Sequence, residues 1–452
     1  MAEAMNAAKV PRRILSSLIS SMAAGVVPRS GAPYIAIGRN EEVKALSDDL
    51  KELSDGGSSM RFIIGKYGSG KSFLIQLMRG YAVEHGYICA DADLSPERRL
   101  CGAKGTGVAT YRELMRNMSS KAAPNGGALS MTISKWLSDL RLSLASKGIS
   151  PDSDRFNSEL EQQVYGTVRA LEASVGGFDF ANILIGYYKA VLNEDEAKKS
   201  ACLRYLRGEY ANKTEAREQT GIRLSSIIDD DNWYDTVKLW AAFAQKIGYN
   251  GFVVFIDECV NLYKIPNRVS RENNYEKILA MFNDTLQGKA PGLEIILGGT
   301  PQFLEDTRRG LFSYEALKSR LSDSRFAEVG YRNLNSPVIR LRRLSDNELF
   351  ALLKRIQALF EEYHQTKLSV TDENTADFLK LTLSKAGAAE LVTPREMIRD
   401  YTAILNILLQ NPNTGFADIV KSVRSDDTET DKSSSHREAP RASSYDPADI
   451  DF

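Results

Sequence analysis

Histidine is almost missing from this 452-residue chain, with only His85, His364 and His436, and none lies near another in the sequence. Cysteine is scarce as well: Cys89, Cys101, Cys202 and Cys259 are scattered, without a Cys-x-x-Cys pair. A zinc site needs several such ligands converging, so the counts argue against one, and the unpaired thiols fit a reducing cytoplasm. No run approaches the ~20 apolar residues of a bilayer crossing, so no membrane span is expected. An excess of either charge is lacking too, since 58 Lys and Arg face 59 Asp and Glu. Bulk attraction to nucleic acid or lipid is thereby excluded, and any such contact needs a local basic patch. The first 40 residues lack acids apart from Glu3 and are rich in Ser and Arg. That pattern can mark an organellar transit peptide. Ile14, Leu15, Leu18, Ile19 and Met22 nevertheless fall on one helical face, and an amphipathic helix is the preferred reading.

What is present is the balance of a globular chain, 43% hydrophobic and 26% charged, long enough for two domains and a tail. Residues 1–60 read as an N-terminal helical segment with a Pro/Gly turn region, and 61–93 as the first half of an α/β core. A mostly helical insertion is expected over 94–250, the second half of the core over 251–343, and a helical module over 344–420. Residues 421–452 are polar and aperiodic and are expected to be disordered. Short apolar runs predict strands at 61–64, 87–90, 252–256, 294–297 and 338–341. Within the insertion, helical spacing predicts helices around 111–118, 133–144, 160–173, 181–192 and 233–247.

Gly65, Lys66, Tyr67, Gly68, Ser69, Gly70, Lys71 and Ser72 match Gly, four residues, Gly-Lys-Ser, between a predicted strand and the helix opening at Phe73. Such glycines let successive backbone amides face one concavity that holds phosphate, and the following helix adds its positive end. Lys71 is expected to reach the β- and γ-phosphates, and Ser72 to ligate Mg²⁺. A second apolar strand ends in Asp257 and Glu258, at the mouth where an open α/β sheet binds its ligand. Asp257 would hold Mg²⁺ through water, and Glu258 would polarise the water that attacks the γ-phosphate. ATP and Mg²⁺ are the expected cofactors.

This loop and acid pair resemble the AAA+ ATPases. The resemblance implies an α/β fold of the ASCE type, a P-loop parallel sheet sandwiched by helices, with a large helical insertion and a C-terminal helical lid. It implies that the strand ending at Thr300 lies between the two phosphate-contacting strands, where Thr300 can act as a sensor; capping the next helix is the competing role. Thr393, Pro394, Arg395 and Glu396 open a helix, leaving Arg395 placed either to meet the γ-phosphate as a lid arginine or simply solvated. Arg320 is the first candidate for an arginine acting on a neighbouring subunit's nucleotide, with Arg308 and Arg309 behind it; any of them could be merely solvated. Gly38, Arg39 and Glu42 are similar to the Gly-Arg-x-x-Glu box of the origin-recognition and signalling branches, which implies that Val27, Pro28 and Gly38 line the adenine pocket.

A closer resemblance covers most of residues 8–410, carried by Arg12-Arg-Ile, the 28–39 segment, the phosphate loop, Leu94-Ser-Pro-Glu-Arg-Arg-Leu, Tyr111-Arg-Glu-Leu-Met, Leu203-Arg-Tyr-Leu-Arg-Gly-Glu and Thr393-Pro-Arg-Glu. These segments are similar to the prokaryotic family that includes the ATP-binding protein D of BREX phage-defence islands. The resemblance implies a cytoplasmic, oligomeric ATPase that remodels or loads a DNA-processing partner such as a helicase. A slow nucleotide switch of the signalling type, without direct DNA contact, is the alternative. The length of the insertion puts ring geometry in doubt. Arg98, Arg99 and Lys104 could contact DNA phosphate, although pairing with acids of the insertion is the favoured reading, and Arg204 and Arg207 carry the same choice. Trp136, Trp233 and Trp240 read as core or interface residues rather than base-stacking platforms.

Overall fold

In a computed structural model, residues 10–102, 104–323, 332–384 and 393–420 are described; the polar tail expected from 421 onward lies outside them. Five strands, β1 (Ser59–Ile64), β2 (Ile88–Asp93), β3 (Phe252–Asp257), β4 (Leu293–Gly299) and β5 (Val338–Arg340), form one parallel sheet in the order β2-β3-β4-β1-β5. All five stand where short apolar runs place them. β4 lies between β1, which feeds the glycine loop, and β3, which ends in the acids.

Successive strand residues face opposite sides. Phe62, Ile64, Val254, Ile256, Ile295 and Leu297 therefore meet one core, and Ile63, Val253, Phe255 and Ile296 another. The second core is closed by the helices Asn40–Ser54 and Lys71–Glu84, through residues such as Leu46, Leu50, Leu74 and Met78. The first is closed by the helix Arg268–Leu286 and by the insertion.

The insertion holds seven helices among its described residues: Thr106–Arg116, Ala128–Ser146, Asp154–Arg169, Gly177–Leu192, Glu196–Leu206, Lys213–Thr220 and Trp233–Lys246. Its apolar interior is continuous with the sheet's first core. Trp136, Trp233 and Trp240 are buried, with Phe180 edge-on to Trp240 and Phe243 edge-on to Trp136. The tryptophans are thus core residues.

A third core joins the N-terminal segment to the C-terminal module. The helix Arg12–Ala23 buries Leu15, Leu18, Ile19 and Met22, the stripe legible in the sequence, against Leu353, Ile356, Phe360, Met397, Tyr401 and Leu405. Those residues belong to the helices Asp346–His364 and Pro394–Gln410 of the C-terminal helical module. Both helices open with reciprocal capping boxes, Ser345 with Glu348 and Thr393 with Glu396.

Candidate nucleotide site

The turn after β1 carries Gly68 and Gly70 at φ +75° and +88°, backbone that ordinary side chains rarely adopt. Gly70 precedes the helix Lys71–Glu84, so the loop delivers the chain directly to a helix N-terminus. Gly65 is restricted for another reason: a side chain there would overlap the Ser69 hydroxyl. The Lys71 ammonium donates to the carbonyls of Gly65 and Lys66 at 3.0 and 3.2 Å. Burial pulls it below the usual lysine range, an effect opposed by Asp257 and Glu258.

The acids of β3 meet this loop. Ser72 Oγ donates to Asp257 Oδ2 at 2.6 Å, joining residues 185 apart in the chain. Asp257 Oδ1 in turn accepts the Glu258 amide at 2.8 Å. Glu258 holds φ +57°, an uncommon conformation for a residue with a side chain and one that costs of order 1–3 kcal/mol. Gly298 on β4 makes room for the carboxylate, because a Cβ there would overlap Asp257 Oδ1. Its carbonyl also accepts the Cys259 amide at 3.0 Å, pinning the turn that carries Glu258. Asp93 ends β2 in register with Asp257, and its carboxyl is pushed up by desolvation and by the charges of Asp257, Asp91 and Glu258.

These groups open onto a cavity of about 460 Å³, large enough for a nucleotide-sized ligand. Tyr67 through Phe73, Asp257, Glu258 and Thr300 form its polar side. Its apolar side comes from Met22, Val26, Val27, Pro28, Ile35 and Ile37 of the N-terminal segment and from Leu344, Leu352 and Ile398 of the C-terminal module. A smaller space of about 270 Å³ continues past Ser72, Asp257 and Glu258 towards Asp91 and Asp93. Arg395 borders both spaces.

Most of the expected nucleotide residues are therefore gathered in one place. Gly65 and Lys66 contribute carbonyls to Lys71 rather than lining the cavity. Gly38 is set aside from the wall: it has φ +73°, and a Cβ there would lie 2.6 Å from Glu348 Oε1. Its neighbours Ile37 and Arg39 line the cavity instead. Thr300 caps the helix Pro301–Glu305, accepting the Phe303 amide at 3.3 Å, while also facing the cavity.

The remaining arginines lie elsewhere. Arg320 is exposed on the helix Glu315–Leu321 and donates to the Ala316 carbonyl. Arg309 is tied to its own chain, donating to the carbonyls of Tyr263 and Ile265 at 3.2 Å each. Arg308 is exposed, its backbone amide bonded to Asp306. In the basic loop, Arg98 donates to the Asp93 carbonyl and pairs with Glu113 at 3.6 Å, and Arg99 donates to the Pro96 carbonyl. Lys104 is exposed. Arg204 pairs with Glu215, and Arg207 with Glu209. Internal pairing thus accounts for Arg98, Arg204 and Arg207.

Sequence reasoning gave no role to Gly298 or Arg39, although a Gly-Gly pair directly after a buried strand was a visible sign of close approach. Among the described residues, no group of three or more His, Cys, Asp or Glu could hold a metal by itself, and no helix is long and apolar enough to cross a membrane.

A search of curated proteins finds no match. A family model described as BREX system ATP-binding protein BrxC/D matches residues 10–424, from the helix that walls the cavity to the end of the C-terminal module. The glycine loop, the acids and both apolar walls all fall within that span, and the chain belongs to this family of BREX ATP-binding proteins.

Proposed function

We propose that the chain is an AAA+ ATPase that hydrolyses ATP to ADP and phosphate, and uses the cycle to remodel or load a DNA-processing partner, such as a helicase, in phage defence. One observation carries the catalytic part: the hydroxyl after the loop lysine and the first acid of β3 meet at 2.6 Å on one cavity. The position of β4 between the two phosphate-facing strands supports the AAA+ reading.

In this reading the loop amides and Lys71 grip the β- and γ-phosphates, and the base lies against the apolar wall around Val27 and Pro28. Ser72 and Asp257 are the residues that would hold Mg²⁺. They fit an ion that keeps its waters and takes phosphate oxygens rather than an all-protein cage. Bound there, Mg²⁺ would neutralise charge on the β- and γ-oxygens. Glu258 orients a water and accepts its proton as the water oxygen bonds to the γ-phosphorus and the bond to the bridging oxygen breaks. Thr300 is placed to hydrogen-bond the water or γ-phosphate, and Arg395, as the lid arginine, to offset developing charge. The chain acts in the cytoplasm as a homo-oligomer, with Arg320 the candidate for a neighbour's site.

ATPase assays on wild type, Lys71→Ala and Glu258→Gln, with and without DNA, test the proposal. Lys71→Ala is expected to lose nucleotide binding; Glu258→Gln should keep binding and lose turnover by a factor on the order of 10² or more. Equal turnover in all three proteins would remove these residues from the chemistry. The apolar wall drawn from the N-terminal segment and the C-terminal module also suits a slow switch that retains nucleotide. Turnover stimulated several-fold by DNA or a partner favours remodelling, and retained nucleotide with unstimulated turnover favours the switch.

A further inference from the structure

One buried guanidinium has no part in that chemistry. Arg39, just before the helix Asn40–Ser54, is 4% exposed and borders the cavity. Its Nη2 donates to two carbonyls, those of Ser69 and Arg342, each at 2.8 Å. Ser69 belongs to the phosphate loop, and Arg342 follows β5 at the entrance to the C-terminal module. A single nitrogen thus joins segments 30 and 303 residues away. Nη1 faces Glu42 at 3.5 Å, and Glu42 is 1% exposed.

The same neighbourhood touches the module at two more points. The Arg342 side chain pairs with Glu348 at 2.7 Å, the residue that closes the capping box of the helix Asp346–His364. Thr393, at the start of the helix Pro394–Gln410, packs on the loop, so that a Cβ on Gly68 would lie 2.5 Å from its methyl group. Burying a cation is costly, and an apolar side chain would fill the space with less penalty. Arginine supplies what an apolar residue cannot: a planar nitrogen with two N–H groups, one for each of two backbone acceptors on separate segments.

We propose that Arg39 is a positioning residue that couples the phosphate loop to the C-terminal module, so that phosphates held in the loop are sensed at the module's entrance. This rests on the nucleotide reading of the cavity. Hydrogen exchange on the full chain, wild type against Arg39→Lys, tests it both without nucleotide and with ADP or ATP. Lysine keeps the charge opposite Glu42 but loses the rigid planar nitrogen that aims one N–H at each carbonyl.

Without nucleotide, exchange should rise together in the loop, residues 66–72, and in the entrance, residues 341–348, while β3 and β4 stay unchanged. With nucleotide, half-saturation should rise about tenfold, the size of one lost charge-assisted hydrogen bond. At saturation the loop should regain its protection and the module should not. Joint protection of both at saturation, or a ligand-free response confined to one segment, overturns the coupling. A wild type that binds no nucleotide counts against the functional reading, and the ligand-free arm still decides the coupling. Should the lysine variant fail to fold, Arg39→Met removes the guanidinium while Glu42 keeps its 2.7 Å bond from Arg332, and the same joint loosening is expected of it.

Discussion

The two ends of the sheet handle buried charge in opposite ways. At the ends of β1, β3 and β4 that face the cavity, Asp257 and Glu258 are held by a hydroxyl, an amide and a strained turn, and Lys71 rests on loop carbonyls. At the other end, Arg61 on β1 is locked to Asp49 by two bonds of 2.5 and 2.6 Å and donates to the Ser336 carbonyl. Beside it, Glu294 on β4 is fully buried, with Ser59 of β1 its partner in register. Charge at the cavity end faces a space that a ligand can fill; charge at the far end faces only protein. Acidic residues on one sheet therefore belong to different problems, nucleotide binding at one end and stability at the other.

Breaking the far end should cost the most stability. Asp49→Asn leaves Arg61 buried without its anion and is expected to destabilise the fold by about 3 kcal/mol, read by denaturant unfolding. Nucleotide affinity per folded molecule should stay unchanged, and a large loss of affinity would erase the distinction between the ends. At the cavity end, Gly298→Ala forces the Asp257 carboxylate to turn away. Turnover should fall by a factor on the order of 10² while the melting curve moves little, since displacing a catalytic group costs that much without unfolding anything. Intact turnover would mean that Asp257 is free to relocate.

A smaller effect separates the ends by pH. Burial, followed by the charge of Asp49, pushes the Glu294 carboxyl up to about 8, against 4.5 in an ordinary glutamate. Between those values the folded chain holds a proton that the unfolded chain has released, so stability falls as pH rises and levels off above about 8. Glu294→Gln should remove that part of the slope, seen as the difference between wild-type and variant unfolding curves from pH 5 to about 9. Parallel curves would mean that Glu294 is ionised throughout. The smallest change is expected from Arg98→Ala with Arg99→Ala, whose bonds are to their own loop and to Glu113; stability should move by about 0.5 kcal/mol or less. A salt-sensitive loss of DNA affinity in that variant would instead return the loop to a nucleic-acid site.

The strands and the phosphate loop were legible because their signals are local: short apolar runs, and glycines at fixed spacing. What escaped was set by tertiary partners. The helix Arg268–Leu286 was not foreseen, because its buried face includes Arg271 and Asn274. Arg271 donates to the Ile265 carbonyl, and Asn274 serves the Leu100 and Cys101 backbone, so polar residues interrupt an otherwise regular stripe. The helix Lys213–Thr220 buries only Ala216 and Thr220, too little to leave a periodic trace. Within the site, the role of Arg39 depends on a carbonyl 303 residues away, which no local pattern reveals.

The uninterrupted apolar interior shared by the insertion and the sheet has a practical consequence for dissecting this protein. Residues 94–250 are not a cassette that can be cut out and studied alone. Excision would leave only the helix Arg268–Leu286 on that side of the sheet, baring the part formed by β2 and β3, with Val254 and Ile256, to water, and both fragments would be prone to aggregate. Shortening this segment requires rebuilding a face of the sheet at the same time.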